Sequence, residues 1–207
     1  MLAVIGHRAW VVGWFQGDAG AQALGDVLQM AGELGQGTVL LLHADRKYAA
    51  AALVRQIVEC EYLVWLFAAE PQDARDWRTG SPEAGRTSFA PAAMRKRSHD
   101  RFRTEEYASH CERGGHPREA GAFLLPGHND SRQLAEGRWQ WLDLAQHLER
   151  LWSSVPSALE AHHIQDALDP PQSAALENAR ERCWAKDPLA ARLVFGEDGP
   201  ELPQPSG

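Results

Sequence analysis

Residues 45–69, DRKYAAAALVRQIVECEYLVWLFAA, constrain the fold of this chain more than any other stretch. A run of alanines followed by apolar residues at three- and four-residue spacings predicts a long helix. Asp45 is placed to cap it, and Glu70-Pro71 to stop it, because proline lacks the N–H that a helix interior needs. The helix is apolar around most of its circumference, so it must be covered on several sides and belongs at the centre of a helical assembly. Arg55 and Glu59 stand four residues apart within it. Either charge left unpaired in such surroundings is costly, so the two are expected to pair, as an ion pair fixing helix register or as an electrostatic support for a cleft residue. Glu61 is expected to face solvent.

The flanking segments are helical too. Asp18 is a candidate cap for a helix running through Val27, Leu28 and Met30 to Leu34, where Gly35 and Gly37 weaken it. TVLLLH then continues the helix or serves as a connector. Residues 72–78 suggest a short helix and 79–88 a loop. Pro91, with Ser88 as a nearby capping candidate, suits the start of a helix reaching about Arg113, closed by Gly114-Gly115 and Pro117. AGAFLLPGHNDS reads as a loop with an apolar plug. A long amphipathic helix is expected over 132–155, through Leu134, Trp141, Leu144, Leu148, Leu151 and Trp152, with Pro156 as its stop. Further helices are expected at about 171–185 and 187–195, followed by a disordered Pro/Gly-rich tail, 196–207. With no strand pattern and no repeat, the expectation is an all-α helical bundle: one domain over 1–195, its core over about 18–155.

A chain of 207 residues is long enough to bury a sizeable core. Its formal charge of −7 argues against nucleic-acid binding over the whole surface. The balance is uneven, however. Between 86 and 103, Arg86, Arg95, Lys96, Arg97, Arg101 and Arg103 face Asp100 alone, a stripe fit to meet a polyanion locally or simply a solvated helix face. Eight tryptophans are many, and Trp65, Trp139, Trp141 and Trp152 fall in apolar patterns that assign them to packing. Three widely spaced cysteines without a CxxC suit reduced thiols. MLAVIGHRAWVVGWF carries His7 and Arg8 inside its apolar run and lacks the pattern of a signal peptide, and no run is long enough to span a bilayer. The expectation is a soluble cytoplasmic protein, and the alanine, arginine and tryptophan usage suits a GC-rich bacterial genome.

Chemistry concentrates in residues 101–117, RFRTEEYASHCERGGHP. Arg103 and His110 are seven apart, about two turns on a continuous helix, and would share a face with only about 20° of drift. Histidine exchanges protons near neutral pH, and arginine suits phosphate charge. Ribonuclease chemistry needs such a pair, a base for the ribose 2′-hydroxyl and a cation for the phosphorane. Here His110 would be the base, Arg103 the cation, and Tyr107 lies between them. The plainer reading is a capping histidine at an ordinary polar helix end. His110, Cys111, His116 and His128 are zinc-type residues, but no CxxC or HxxxH frames a site, so no metal or cofactor is expected. P-loop, GxGxxG, GxSxG and HExxH patterns do not occur.

The segments AAAALVRQIVECEYLVWLFAAEP and FRTEEYASHCERGGHP together resemble the RxxxE helix and the tyrosine, serine and histidine-proline segment of a widespread bacterial helical family, which is similar to the HEPN superfamily. The resemblance covers roughly residues 25–155. It implies a four-helix core and an R-x4–6-H motif that cleaves RNA without metal at a site shared by two protomers. Carried onto this chain, the motif falls on Arg103 and His110, with His116, the histidine before proline, as a second candidate base. Arg55 and Glu59 would support it, and Arg95, Lys96, Arg97 and Arg101 would receive the RNA backbone. Two functions follow as expectations. One is a dimeric endoribonuclease in bacterial defence or toxin–antitoxin regulation. The other is a non-catalytic adaptor or antitoxin-like module that binds a protein partner from the same locus. Neither involves a membrane.

Overall fold

The expected central helix forms as α3, Lys47–Ala69, and ends at Glu70-Pro71. The structure is a computed structural model that describes residues 1–99, 101–126, 130–168 and seven positions between Pro171 and Arg182, without the side chains of 130–135. It divides into two compact units, Leu2–Ala167 and a second made of Met1 with Leu168–Gly207. The described positions of the helix expected at 171–185 are helical; the one at 187–195 and the tail lie outside the described residues.

Within the first unit, α1 (Leu2–Gln16) folds back on α2 (Ala19–His43). Asp18 caps α2 as expected, Oδ1 accepting from the Gly20 and Ala21 amides at 2.9 and 3.4 Å. The helix continues through Gly35, Gly37 and TVLLLH to His43. Gly6 and Gly25 are required where α1 crosses α2, since a Cβ on Gly6 would lie 2.7 Å from the Gly25 carbonyl oxygen. The cap expected for α3 does not form. Asp45 takes a left-handed φ of 56° and pairs with Lys47, and Arg46 stands at the cap position without a side-chain bond.

After α3 come α4 (Pro71–Thr79), α5 (Pro82–Ser88) and α6 (Pro91–Arg97). α5 falls in a segment expected to be loop. Its start is Ser81, whose Oγ accepts from the Ala84 amide at 3.2 Å, followed by proline at the first helical position. Ser88 therefore ends α5 instead of capping α6, where Ala90 holds the cap position.

The helix expected from Pro91 to about Arg113 is broken in two. α6 stops at Arg97, His99 adopts a φ of 48°, and α7 (Thr104–His110) begins after Arg103. The break buries Phe102 at 4% exposure, stacked on Tyr62 with ring centroids 3.9 Å apart. Ser98 Oγ closes the turn, donating to the Arg95 carbonyl and accepting from the Phe102 amide. α7 runs into a π-helical turn, Cys111–Gly115, closed by the bond from the His116 amide to the Cys111 carbonyl. Gly114 is required here, because a Cβ would overlap the backbone of Ala51 and Ala52 on α3. The segment expected as loop, 120–131, gives its first three residues to a short α8 (Glu119–Ala122) and its last two to the helix that follows; of its apolar plug Leu124 is buried at 2% exposure, while Phe123 and Leu125 stay 37% and 44% exposed.

The last long helix, α9, spans Asp130–Ala161 and passes through Pro156 instead of stopping there. A proline inside a helix costs about 3 kcal/mol. Val155, Ala158 and Leu159 around it are fully buried, and each large aliphatic side chain so placed contributes about 1.5–3 kcal/mol. Continuation is the cheaper outcome. Helices α2, α3 and α9 enclose a core of Leu42, Ala50, Val54, Ile57 and Leu144, flanked by Leu34, Val39, Leu41 and Leu148. The protein is an all-α helical bundle, with no strand among the described residues. Trp139 and Trp141, expected to pack inside, are 53% and 37% exposed. No described helix is long and apolar enough to cross a membrane.

Candidate functional site

The expected Arg55–Glu59 pair forms at 2.9 Å on α3 and is joined by Tyr107 of α7. Arg55 donates to the Tyr107 hydroxyl at 2.9 Å, and that hydroxyl donates to Glu59 Oε1 at 2.6 Å. Burial and the neighbouring Glu59 push the phenol pKa up, so Tyr107 stays a neutral donor. Arg95 also lies over the ring, its guanidinium carbon 4.5 Å from the centroid. These residues clamp α7 onto α3.

His110, one turn further along α7, points into the bundle and is 7% exposed. Its Nε2 lies 3.0 Å from Nε2 of His147 on α9. His147 is fully buried, and its Nδ1 lies 2.7 Å from Glu61 Oε2. Glu61, expected to face solvent, is instead 1% exposed and also pairs with Arg150 Nε through Oε1 at 3.2 Å. Arg150 in turn holds Glu106 of α7 at 2.5 Å. Asp143 lies 3.6 Å from His110 Nδ1 and 3.5 Å from His147 Nε2. Arg150 Nη2 also comes within 2.9 Å of His147 Nδ1. A guanidinium only donates, however, and the ring proton that Glu61 accepts leaves that nitrogen no lone pair. The tautomer of His147 is thus set with Nδ1–H toward Glu61.

The electrostatics separate the two rings. For His147, burial opposes the charged form, but the hydrogen bonds and charges of Asp143 and Glu61 outweigh it and carry the pKa up to about 9. His110 has burial as its main influence, reinforced by the neighbouring His147 and only partly countered by Asp143, and its pKa is lowered. A cationic His147 donating through Nε2 to a neutral His110 satisfies both rings. Glu106 and Asp143 resist protonation despite burial, held ionised by Arg150 and by the two histidines respectively. The site opens to solvent on the side of Asp143, Glu106 and Arg150, whose side chains are 33%, 25% and 30% exposed.

Other sequence candidates lie elsewhere. Arg103 is the exposed N-cap of α7, its backbone extended at ψ 137°, while His110 is buried against α9, so the two side chains are not brought together although they are seven residues apart. The groups acting on His110 are Asp143, His147, Glu106 and Arg113. His116 is exposed beyond the π turn and lines an open concavity with Glu112, Arg118 and Glu119. His128 lies outside the described residues. Of the basic stripe, Arg95 is spent on Tyr107, and Arg97 pairs with Asp73 and Glu70. Lys96 and Arg101 are exposed.

Sequence reasoning missed Glu61, Glu106, Asp143, His147 and Arg150. Two of them carried a signal: Glu61 continues the Val54, Ile57, Val58 stripe at helical spacing, and His147 sits between Leu144 and Leu151 on the apolar face of α9. No protein-family model, curated protein or solved structure matches this chain.

Proposed function

We propose that this protein is a HEPN-like endoribonuclease of bacterial defence or toxin–antitoxin regulation, cleaving RNA without a metal through His110 and His147. The observation that carries the proposal is the 3.0 Å contact between the two Nε2 atoms, with Glu61 anchoring the inner ring. An imidazole chain backed by a carboxylate is suited to moving a proton. In the reaction the ribose 2′-hydroxyl attacks the adjacent phosphorus and the P–O5′ bond breaks. A 2′,3′-cyclic phosphate and a 5′-hydroxyl end result. In the form of the pair that has shed one proton, His110 turns Nε2–H to a neutral His147, takes the 2′-hydroxyl proton at Nδ1 and returns that proton to O5′. Arg113 and Arg150 supply positive charge for the phosphoryl oxygens in place of Arg103. Tyr107, Arg55 and Glu59 position α7, and Lys96, Arg101 and Arg103 attract the backbone from the surface.

A second reading, a non-catalytic adaptor or antitoxin-like module, draws on other observations. Glu61, Glu106 and Asp143 crowd the histidine pair with negative charge, and Trp139 and Trp141 offer exposed aromatic surface to a partner. Under either reading a second protein completes the unit, a homodimer or a partner from the same locus. Incubation of the purified chain with several RNAs in excess EDTA separates them. Cleavage is expected, falling about 10²–10⁴-fold in His110→Asn and His147→Asn and little in Arg103→Ala. If wild type and variants are equally inert, the nuclease proposal fails.

A further inference from the structure

His110 Nε2 and His147 Nε2 face each other at 3.0 Å, and the Nδ1 atoms of both rings turn toward carboxylates, Glu61 for His147 and Asp143 for His110. With both Nδ1 atoms directed away, two lone pairs would meet head-on unless an electrophile lay between them. A proton is one such electrophile. A metal ion is another. Glu106 provides a third donor: one ligand atom from each of Glu106, His110 and His147 lies within 4.8 Å of the others.

We infer that Glu106, His110 and His147 form a binding site for a divalent transition-metal ion of the zinc class, which replaces the proton between the imidazoles. Three features support the assignment. First, two nitrogen ligands about 2.0–2.1 Å from a tetrahedral ion stand about 3.3–3.4 Å apart, so the rings, now at 3.0 Å, need to part by only a few tenths of an ångström for an ion seated to one side of the line between them. Second, histidines that bind metal are normally oriented by a carboxylate on the far nitrogen, the arrangement that Glu61 makes with His147 at 2.7 Å. Third, two imidazoles and one carboxylate select zinc, iron, cobalt or nickel over magnesium and calcium, which take oxygen ligands. Glu106 is now held by Arg150, and coordination moves its carboxylate a short way toward the rings. Arg150 keeps Glu61 as a partner through Nε at 3.2 Å, so the shift leaves it paired. The partly exposed Glu106 and Asp143 give an ion its way in, and water or Asp143 fills the remaining position.

Occupancy would block proton transfer, because it takes the lone pairs that His110 and His147 use. This regulatory consequence rests on the ribonuclease reading; the binding does not. The test is titration of the chelator-stripped full-length chain with Zn²⁺ by calorimetry, and with Co²⁺ by visible absorption. One ion per chain is expected, with cobalt bands lost in His110→Asn and retained in His116→Ala. Glu106 is partly exposed, so Glu106→Gln serves as a second variant that keeps the fold, checked by circular dichroism, and it should weaken binding at least tenfold. Glu61→Gln, at a residue that orients the ligand His147 and also pairs with Arg150, should weaken it about 10–100-fold. The inference is overturned if the stripped wild type takes up no stoichiometric ion, or if binding is indifferent to His110→Asn and Glu106→Gln. Zinc-inhibited cleavage adds support. A chain that binds zinc but never cleaves RNA keeps the metal site and loses the nuclease reading; one that cleaves RNA without binding zinc does the reverse.

Discussion

Glu61 is the residue on which the buried network depends. It meets His147 through Oε2 and Arg150 through Oε1, and it is almost wholly removed from water. Removing one partner of a buried ion pair leaves the other charges uncompensated. Glu61→Ala should therefore lower unfolding stability by about 3–5 kcal/mol in denaturant titration, whereas Glu105→Ala, at an exposed position on α7, should change it by less than about 0.5 kcal/mol. Cys60 illustrates burial acting alone. Desolvation, with help from Glu59, pushes its pKa up to about 12, so almost no thiolate forms at neutral pH. Peptide mapping after alkylation of the native chain should find Cys60 unmodified and the half-buried Cys111 labelled; equal labelling would contradict the packing around α3.

At the scale of elements, the break between α6 and α7 aims the site. Phe102 occupies the space beside Tyr62 and Trp65 that a continuous helix would leave open. Phe102→Ala should cost about 3–5 kcal/mol by thermal or denaturant unfolding. The long helices were legible because their burial follows the helical period: α3 with its Pro71 stop, α2 with its Asp18 cap, and most of α9. What escaped was decided by partners distant in sequence. The chain at 98–103 bends for a ring on α3, Pro156 stays helical because core positions continue beyond it, and Asp45 spends its carboxylate on Lys47. For the site, Arg55, Glu59, Tyr107 and His110 were identified and the first three meet as a group. The Arg103–His110 pairing assumed that Arg103 lay inside a helix begun at Pro91; the bend around Phe102 makes it instead the extended, exposed cap of α7. A spacing rule reports a shared face only for residues within the helix, and local sequence does not reveal a Phe that prefers a tertiary pocket.

For the molecule as a whole, pH should act on stability through His162 near the end of α9. Burial, reinforced by Arg75, lowers its pKa against the pull of Asp18. The folded protein thus resists a proton that the unfolded chain accepts near its ordinary value. The His162 contribution is complete above that value, about 6.5, and declines as pH falls through it, whereas that of His147, raised to about 9, is full below about 6.5 and is lost as pH rises. Between pH 7.5 and 5 the denaturant midpoint of wild type should drop relative to that of His162→Gln; parallel curves would remove His162 from the account.

The three groups in line at the heart of the bundle, Glu61, His110 and His147, come from stretches of chain far apart in translation order. While a ribosome is still threading the segment after α8, the nascent polypeptide holds Glu61 and His110 without the ring that joins them. The buried chain of groups therefore cannot assemble until synthesis has passed His147.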